Sequence, residues 1–555
     1  MKKFFLPVII FASLAAVISS CKKKDTTGLL IPKDAAMAVH FNAASFSSKL
    51  SWDDIKATNW FQKIQADSRD SLAQQFLADP ASSGMDLKSD FVYFIKMRMN
   101  GAYFVVDGKL KDDAAFAAYC KKIFPAGTPS QDGAFSFISK NDNGAVIWNK
   151  ERFAFVVNTP EMIWNRRFEN QSPAEDQKMI TADSLKKYGK YVLSLSNTQT
   201  LGTDDHFASL ISEPGDIHLW MDMEKMYAGN NMMGQMLNMM KLSTFFEGNK
   251  YALTLNFDNG KITLKGKHYQ GEELTKLLKK YPPKPMDAAL IKRLPAENVM
   301  AAFVINFQPE AINETFQIIG MDGMVNLLLG KANLTTDEII KANKGKMLFA
   351  LTGVDTKNVL DTINSEATNE PMIFPRQRKV VKFIFANAIN NKSAFDRLLD
   401  FLKKNSGKLD NAPADYTFRV KDDWFAAGDS ANVTAFLSGN TNAVPFADRI
   451  SGHPFGGYLD FQKIISHLAA NNTDSSRTAV LNASRNMWQD MVMTGGDFSG
   501  GAVTFSMEVN LVNKNMNSLK QLNTYLDQVA SAYKDHFAFN KEVMDSIKVD
   551  TEKMK

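Results

Sequence analysis

The chain has 555 residues, is 45% hydrophobic and 23% charged, and carries a formal net charge of +5. These proportions belong to a folded globular protein, and 65 basic against 60 acidic residues exclude the basic excess on which nucleic-acid binding depends. The length exceeds what one hydrophobic core supports and predicts at least two domains.

The first 20 residues read as a signal peptide. Lys2 and Lys3 give a positive start, Phe4 to Ile18 an apolar run, and Ser19-Ser20 a small-residue end. That run is too short for a comfortable transmembrane helix. Ile18-Ser19-Ser20-Cys21 resembles the bacterial lipobox, whose cysteine is acylated and becomes the first residue of the mature chain. Cys21 is therefore the expected lipid attachment site and the membrane the expected partner. Each acyl CH₂ buried in a bilayer contributes roughly 0.8 kcal/mol, so several chains on one cysteine anchor stably. Removal of Lys2 and Lys3 lowers the formal charge from +5 to +3. Residues 21–28, with Lys22-Lys23-Lys24-Asp25, form a polar tether; an outer-membrane location follows, on either the periplasmic or the surface-exposed face. With Cys21 used, Cys120 is the remaining cysteine, and no intramolecular disulfide can form. Its apolar neighbours Ala117, Ala118 and Tyr119 predict a buried, inert thiol.

The strands announce themselves by alternation. Tyr251, Leu253, Leu255 and Phe257 share one face, Asp258-Asn259-Gly260 makes a turn, and Lys261 to Lys267 returns. Asp142-Asn143-Gly144 predicts a similar hairpin, and Val503, Phe505, Met507, Val509 and Leu511 another one-sided strand. Helices are expected over 113–122, 272–280, 394–404 and 516–529. The fold class is therefore α+β: antiparallel sheets with one face wet or covered by helices.

The chain also repeats itself. Leu30-Ile31-Pro32-Lys33-Asp34 leads into a strand ending Val39-His40-Phe41-Asn42, as Arg293-Leu294-Pro295 leads into Ala302 to Phe307. Ala115-Phe116 in one helix corresponds to Ala394-Phe395 in another. Phe135-Ser136-Phe137 pairs with Tyr416-Thr417-Phe418, and Pro214 to Leu219 with Pro454 to Leu459. Lys261 to Leu264 pairs with Ala502 to Phe505. Preserved order with drifting offsets predicts two related halves, 29–285 and 286–535, joined at the proline segment Tyr281 to Pro285, with a tail at 536–555.

Chemistry-bearing motifs are weak. Ser184-Leu185-Lys186-Lys187 matches the Ser-x-x-Lys pattern of acyl-serine enzymes without its partner motifs. Asp204-Asp205-His206 offers metal-ligand types but reads as a helix cap. Asp183-Ser184-Leu185 and two similar triplets resemble O-glycosylation acceptors of exported Bacteroidota proteins. The distinctive stretch is methionine-rich: Met232, Met236, Met239 and Met240 fall on one helical stripe, which reads as core, as an apolar ligand groove, or as a soft Cu(I) site. Core is favoured, because the corresponding Ile464, Ile465 and Leu468 bind no metal. No metal site and no cofactor are expected.

With its lipobox, lysine tether and Ile31-Pro32-Lys33-Asp34 opening into a strand, the chain resembles an uncharacterised family of Bacteroidota lipoproteins, catalogued as domain of unknown function 4836. That resemblance implies an envelope location and transfers no catalytic residue. The leading functional expectation is a non-catalytic binding or scaffolding protein of the envelope, with an envelope protein or apolar ligand as partner. A carrier or chaperone for an apolar ligand such as lipid is the alternative. A third reading is a hydrolase whose site is assembled from distant residues.

Overall fold

A computed structural model describes residues 25–67, 78–98, 101–125, 127–140, 144–159, 181–227, 243, 246–295, 297–330, 333–364, 371–406, 415–470, 472 and 474–532. Among the described residues there are 18 strands, all paired antiparallel, with helices between them. The class is α+β. The described residues of Met1–Ala44 and Gln75–Asn231 make one compact unit, and those of Ser45–Gln74 and Met232–Lys555 a second.

In the first unit the strands are β1 (Met37–Phe41), β2 (Phe91–Arg98), β3 (Gly101–Lys109), β4 (Ser130–Asp132), β5 (Phe135–Lys140), β6 (Gly144–Trp148), β7 (Arg152–Thr159) and β8 (Ile217–Asp222). Their registers run β8-β1-β2-β3-β7-β6-β5-β4. The helices used below are α1 (Asp113–Ile123), α2 (Ala182–Leu193) and α3 (Asp205–Ser212). Each begins where a side-chain oxygen accepts from free backbone N–H groups: Asp112 from Ala115, Thr181 from Ser184, and Asp204 from His206 and Phe207. The Asp204 cluster is thus a helix cap, and Ser184 lies in the first turn of α2 beside the fully buried Leu185.

The second unit holds β9 (Lys250–Asp258), β10 (Lys261–Tyr269), β11 (Ala301–Asn306), β12 (Asn343–Asn364), β13 (Pro371–Ile389), β14 (Tyr416–Lys421), β15 (Trp424–Asp429), β16 (Phe455–Asp460), β17 (Trp488–Ser499) and β18 (Ala502–Leu511). Their order is β9-β10-β18-β17-β16-β11-β12-β13-β15-β14. Asp258 pairs with Lys261, so Asn259 and Gly260 form a two-residue turn, with Gly260 at φ 68°. β12 and β13 stay paired from Gly353–Lys382 out to Asn364–Pro371, well past Leu351 and Ile384, where their respective pairings with β11 and β15 stop. They project as a two-stranded arm.

The orders β8-β1-β2-β3-β7-β6 and β16-β11-β12-β13-β15-β14 have the same connectivity. Asn42 and Asn306 end β1 and β11 alike, each donating its backbone N–H to the residue before a strand, Asp216 and Pro454. By register β14 occupies the place of β6, not of β5, so the Phe135 stretch expected opposite Tyr416 belongs to a hairpin particular to the first run. β10 and β18 pair reciprocally: Lys261 with Asn510, Lys265 with Ser506, Tyr269 with Ala502.

The buried face of the second sheet is sealed by short helices: α5 (Ala288–Ile291), α9 (Ser430–Ser438) and α10 (Ala447–Ile450). They follow α4 (Glu272–Lys280), α6 (Pro309–Ile318), α7 (Asp322–Gly330) and α8 (Lys392–Ser406), and α11 (Ser475–Met487) and α12 (Ser518–Ala532) complete the set used here. Leu290, Ile291, Leu294, Val433, Phe436 and Ile450 pack on Ala302, Val304, Leu348, Ile384 and Ala426 in one core cluster. The proline segment is pinned, Asn306 donating to the Pro285 carbonyl at 3.0 Å and Gln308 to that of Pro282 at 3.1 Å. Leu294 is fully buried in that core. Leu294→Ala is expected to cost about 2–5 kcal/mol of unfolding free energy by chemical denaturation. A loss below roughly 1 kcal/mol would place the core elsewhere.

Candidate functional site

The four methionines of the predicted stripe, Met232, Met236, Met239 and Met240, lie outside the described residues, and so does Cys21. Among the described residues no group of three or more His, Cys, Asp or Glu side chains is placed to hold a metal, and no helix is long and apolar enough to cross a membrane.

What the strands assemble instead is an apolar surface. Antiparallel pairing sets directly opposed residues on the same face, so a register can be read across a sheet. In the second unit one row runs Leu255, Leu264, Met507, Met493. It continues through Gly457, Phe303, Phe349 and Phe385. A row to one side passes from Leu253 through Phe505 and Phe455 to Ile305 and Met347. The row to the other side passes from Phe257 through Val509, Met491 and Leu459 to Leu351 and Phe383. No position in these rows carries a charge; Asn387, buried beyond Met347, is the first polar side chain met.

This is the face opposite the helix-sealed core. The sequence expectation was a face wet or covered by helices, and the structure shows helix cover at one end and an apolar, half-open middle. Helix α8 covers its β15 end, where Phe395 lies 5.4 Å from Phe425 between ring centroids. Across the middle the side chains are half-buried, and Ile305 and Phe349 are each 40% exposed. Gly266 keeps the surface continuous: a Cβ there would meet the Phe505 ring at 2.1 Å, because that ring lies over the glycine. Eight strands about 4.8 Å apart give the face a width of roughly 34 Å. The first unit repeats the pattern, with Val39, Tyr93, Val106 and Leu219 in one half-buried row.

Chemically such a surface can exclude water and hold hydrocarbon; it has no group that donates, accepts or transfers a proton. A second apolar feature is the corner of α6 and α7, where Ile312, Met324, Leu327 and Leu328 are 42%, 49%, 66% and 58% exposed. An open polar groove of about 600 Å³ lies between the β9–β10 turn and the loop before α12, lined by Lys49, Asn259, Asn513 and Lys520 among others. Its amides are engaged within the loop: Asn513 accepts from the Asn515 N–H, and Asn517 accepts from Leu519 and donates to the Phe257 carbonyl.

Sequence reasoning missed the apolar face because each strand was read singly, and because half-buried alternation looks the same whichever neighbour covers it. The signal was present in β13, where Phe383, Ile384, Phe385 and Ala386 are apolar on both parities.

The fold thus defines a class of α+β protein whose antiparallel sheets are helix-backed on one side and apolar on the other. The chain belongs to the family described as Domain of unknown function (DUF4836), which it matches over residues 28–315. Comparison with curated proteins finds no match. Among solved structures, crystal form III of TP0453 is similar at 8% identity and a TM-score of 0.26, over 46% of this chain and 87% of that one. Crystal form IV of TP0453 gives 9% identity and a TM-score of 0.25, over 46% and 86%.

Cys120 sits in α1 against Phe116, Phe124 and Trp148, and burial pushes its thiol up to about 12. The thiolate is the reactive form. In a Cys21→Ala chain the folded protein should therefore show no reaction with an aromatic disulfide reagent near pH 8, and one equivalent after denaturation. Rapid reaction in the folded state would contradict this burial.

Proposed function

We propose that this chain is an exported lipoprotein of the bacterial envelope, anchored through Cys21, that works by binding apolar ligand on the open sheet face rather than by catalysis. The observation carrying this reading is the set of uncharged rows from Leu255 to Phe385, half-buried and continuous across the second sheet. Monomeric proteins seldom leave large apolar patches uncovered unless something docks there. The occupant favoured is an acyl chain. A protein partner of this breadth presents charged and hydrogen-bonding groups that the face could not satisfy, whereas hydrocarbon needs none. Methionines 491, 493 and 507, in adjacent strands, give the surface a deformable middle suited to flexible chains. Residues 21–24 then tether the protein to a membrane that supplies such ligands; of the 21–28 segment expected as tether, Asp25 is instead buried against the first unit, accepting from the Thr200 hydroxyl at 2.7 Å. A gene duplication yielding the two halves accounts for the repeated strand order and for the reciprocal β10–β18 register.

Two measurements test this. Metabolic labelling with a fatty acid should mark the wild-type chain and not Cys21→Ala, which should leave the membrane fraction; labelling of both would remove the anchor. The unlipidated Cys21→Ala protein, purified from envelope extracts, should carry non-covalent acyl lipid detectable by mass spectrometry and bind a fluorescent fatty acid. Phe349→Asp puts a charge on the face at a position already 40% exposed, so folding should persist while probe affinity falls by about tenfold or more. Absence of both lipid and probe binding would overturn the ligand assignment, and a specific co-purifying protein in its place would favour scaffolding.

A further inference from the structure

His40 of β1 and His218 of β8 face each other across the strand pair and are only 5% and 2% exposed. Their Nδ1 atoms are 3.0 Å apart, and the rings stack at 23° with centroids 5.3 Å apart. His40 Nε2 lies 3.1 Å from Asp90 Oδ2, and His218 Nε2 lies 3.0 Å from the carbonyl oxygen of Glu213. Both ends of this chain are acceptors. Each Nε2 must therefore carry a hydrogen, and the central contact needs one more. Three hydrogens are required, and two neutral imidazoles supply only two. The chain is complete only when one ring is an imidazolium.

We infer that His40 and His218 share a single extra proton that locks the β1–β8 edge, making this part of the first unit responsive to pH. The charge resides on His40, beside the Asp90 carboxylate. Burial holds His218 below the ordinary histidine range, which keeps that ring neutral, with its hydrogen on Nε2. The hydrogen bond from His40 in turn holds the Asp90 carboxyl below the usual carboxylate range. The ionisable groups facing the pair are Asp90 before β2, Glu213 and Asp216 before β8, and Lys109 of β3 on the far side of Asp90. β1 and β8 bring none beside the two histidines except Asp222, which pairs with Lys225.

The fold does not need these groups. At the matching register of the second unit the pair is Val304 and Gly456, and the residue placed like Asp90, two before the partner of Val304, is Lys346. One copy of the arrangement is thus packed with apolar side chains, while the other holds a proton.

The pH behaviour has two sides. Loss of the shared proton at higher pH leaves two lone pairs facing at one contact and removes a charge-assisted bond to Asp90. His218, held low, contributes stability that is present above the ordinary histidine value and lost as pH falls through its folded value, where a second proton sets N–H against N–H.

The test is hydrogen exchange followed at peptide level from about pH 5 to about pH 9 on the full chain, corrected for intrinsic rates, with histidine ring ¹⁵N spectra alongside. β1 and β8 should lose protection by about tenfold or more towards the alkaline end, while β11 and β16 serve as an internal control and should not change. One histidine should keep both ring nitrogens protonated near pH 7. His40→Val, which copies the second unit, should flatten the β1–β8 profile, and Asp90→Asn should move its alkaline limb to lower pH without altering packing. Equal profiles in both pairs, two neutral rings at neutral pH, or an unchanged profile in either variant would each overturn the inference.

Discussion

The constraint on which the structure rests is that the central strands β11, β12 and β13 are apolar on both faces where they pair, whereas the reverse side of β10 and β18 carries Lys261, Lys265 and Glu508. A backbone ladder satisfies its own hydrogen bonds, but each face of hydrocarbon side chains must still leave water. In the second unit one face is met by α5, α9 and α10, whose Ile291, Phe436 and Ile450 fill the space over Val304 and Leu348. The other receives α8 at one end and is half-open in the middle. Everything proposed about ligand binding grows from that inequality between two faces of similar composition.

The two runs of strands share connectivity but not chemistry. Where the second has Val304, Gly456 and Ala386, the first has His40, His218 and Asp107. Asp107 is fully buried against Arg152, and burial raises its carboxyl to about 6 despite that guanidinium. Burying ionisable groups costs stability unless they are partnered; the second unit buries Asp490 as well, where Arg449 meets it at 2.8 Å. The apolar run is the plainer expression of the fold.

Much of this was legible in the sequence. The hairpin at Asp258 to Gly260 was read from its turn residues and the buried Cys120 from its neighbours, and the helix expected over 272–280 is found at Glu272–Lys280. Local rules governed those elements. The histidine pair was not legible, because 178 residues separate its members and only the β1–β8 register joins them. The apolar face was hidden for a related reason: Leu255 and Phe385 stand at opposite ends of one row that crosses eight strands, and no window along the chain contains both. The placing of Tyr416 opposite Phe135 followed similar composition, whereas the ladder assigns β14 the position of β6.

The pairing of β10 with β18 separates chain order from folding. In chain order the hairpin β9–β10 lies before the proline segment, yet β10 is hydrogen-bonded along its whole length to β18 and is compact with it. A chain divided at the proline segment would strip β10 of that partner from Lys261 to Tyr269 and leave two long raw edges, the kind that seek each other in solution. Neither side of that division could then stand as an independent module, and a chain truncated there would be a sticky fragment rather than a smaller protein.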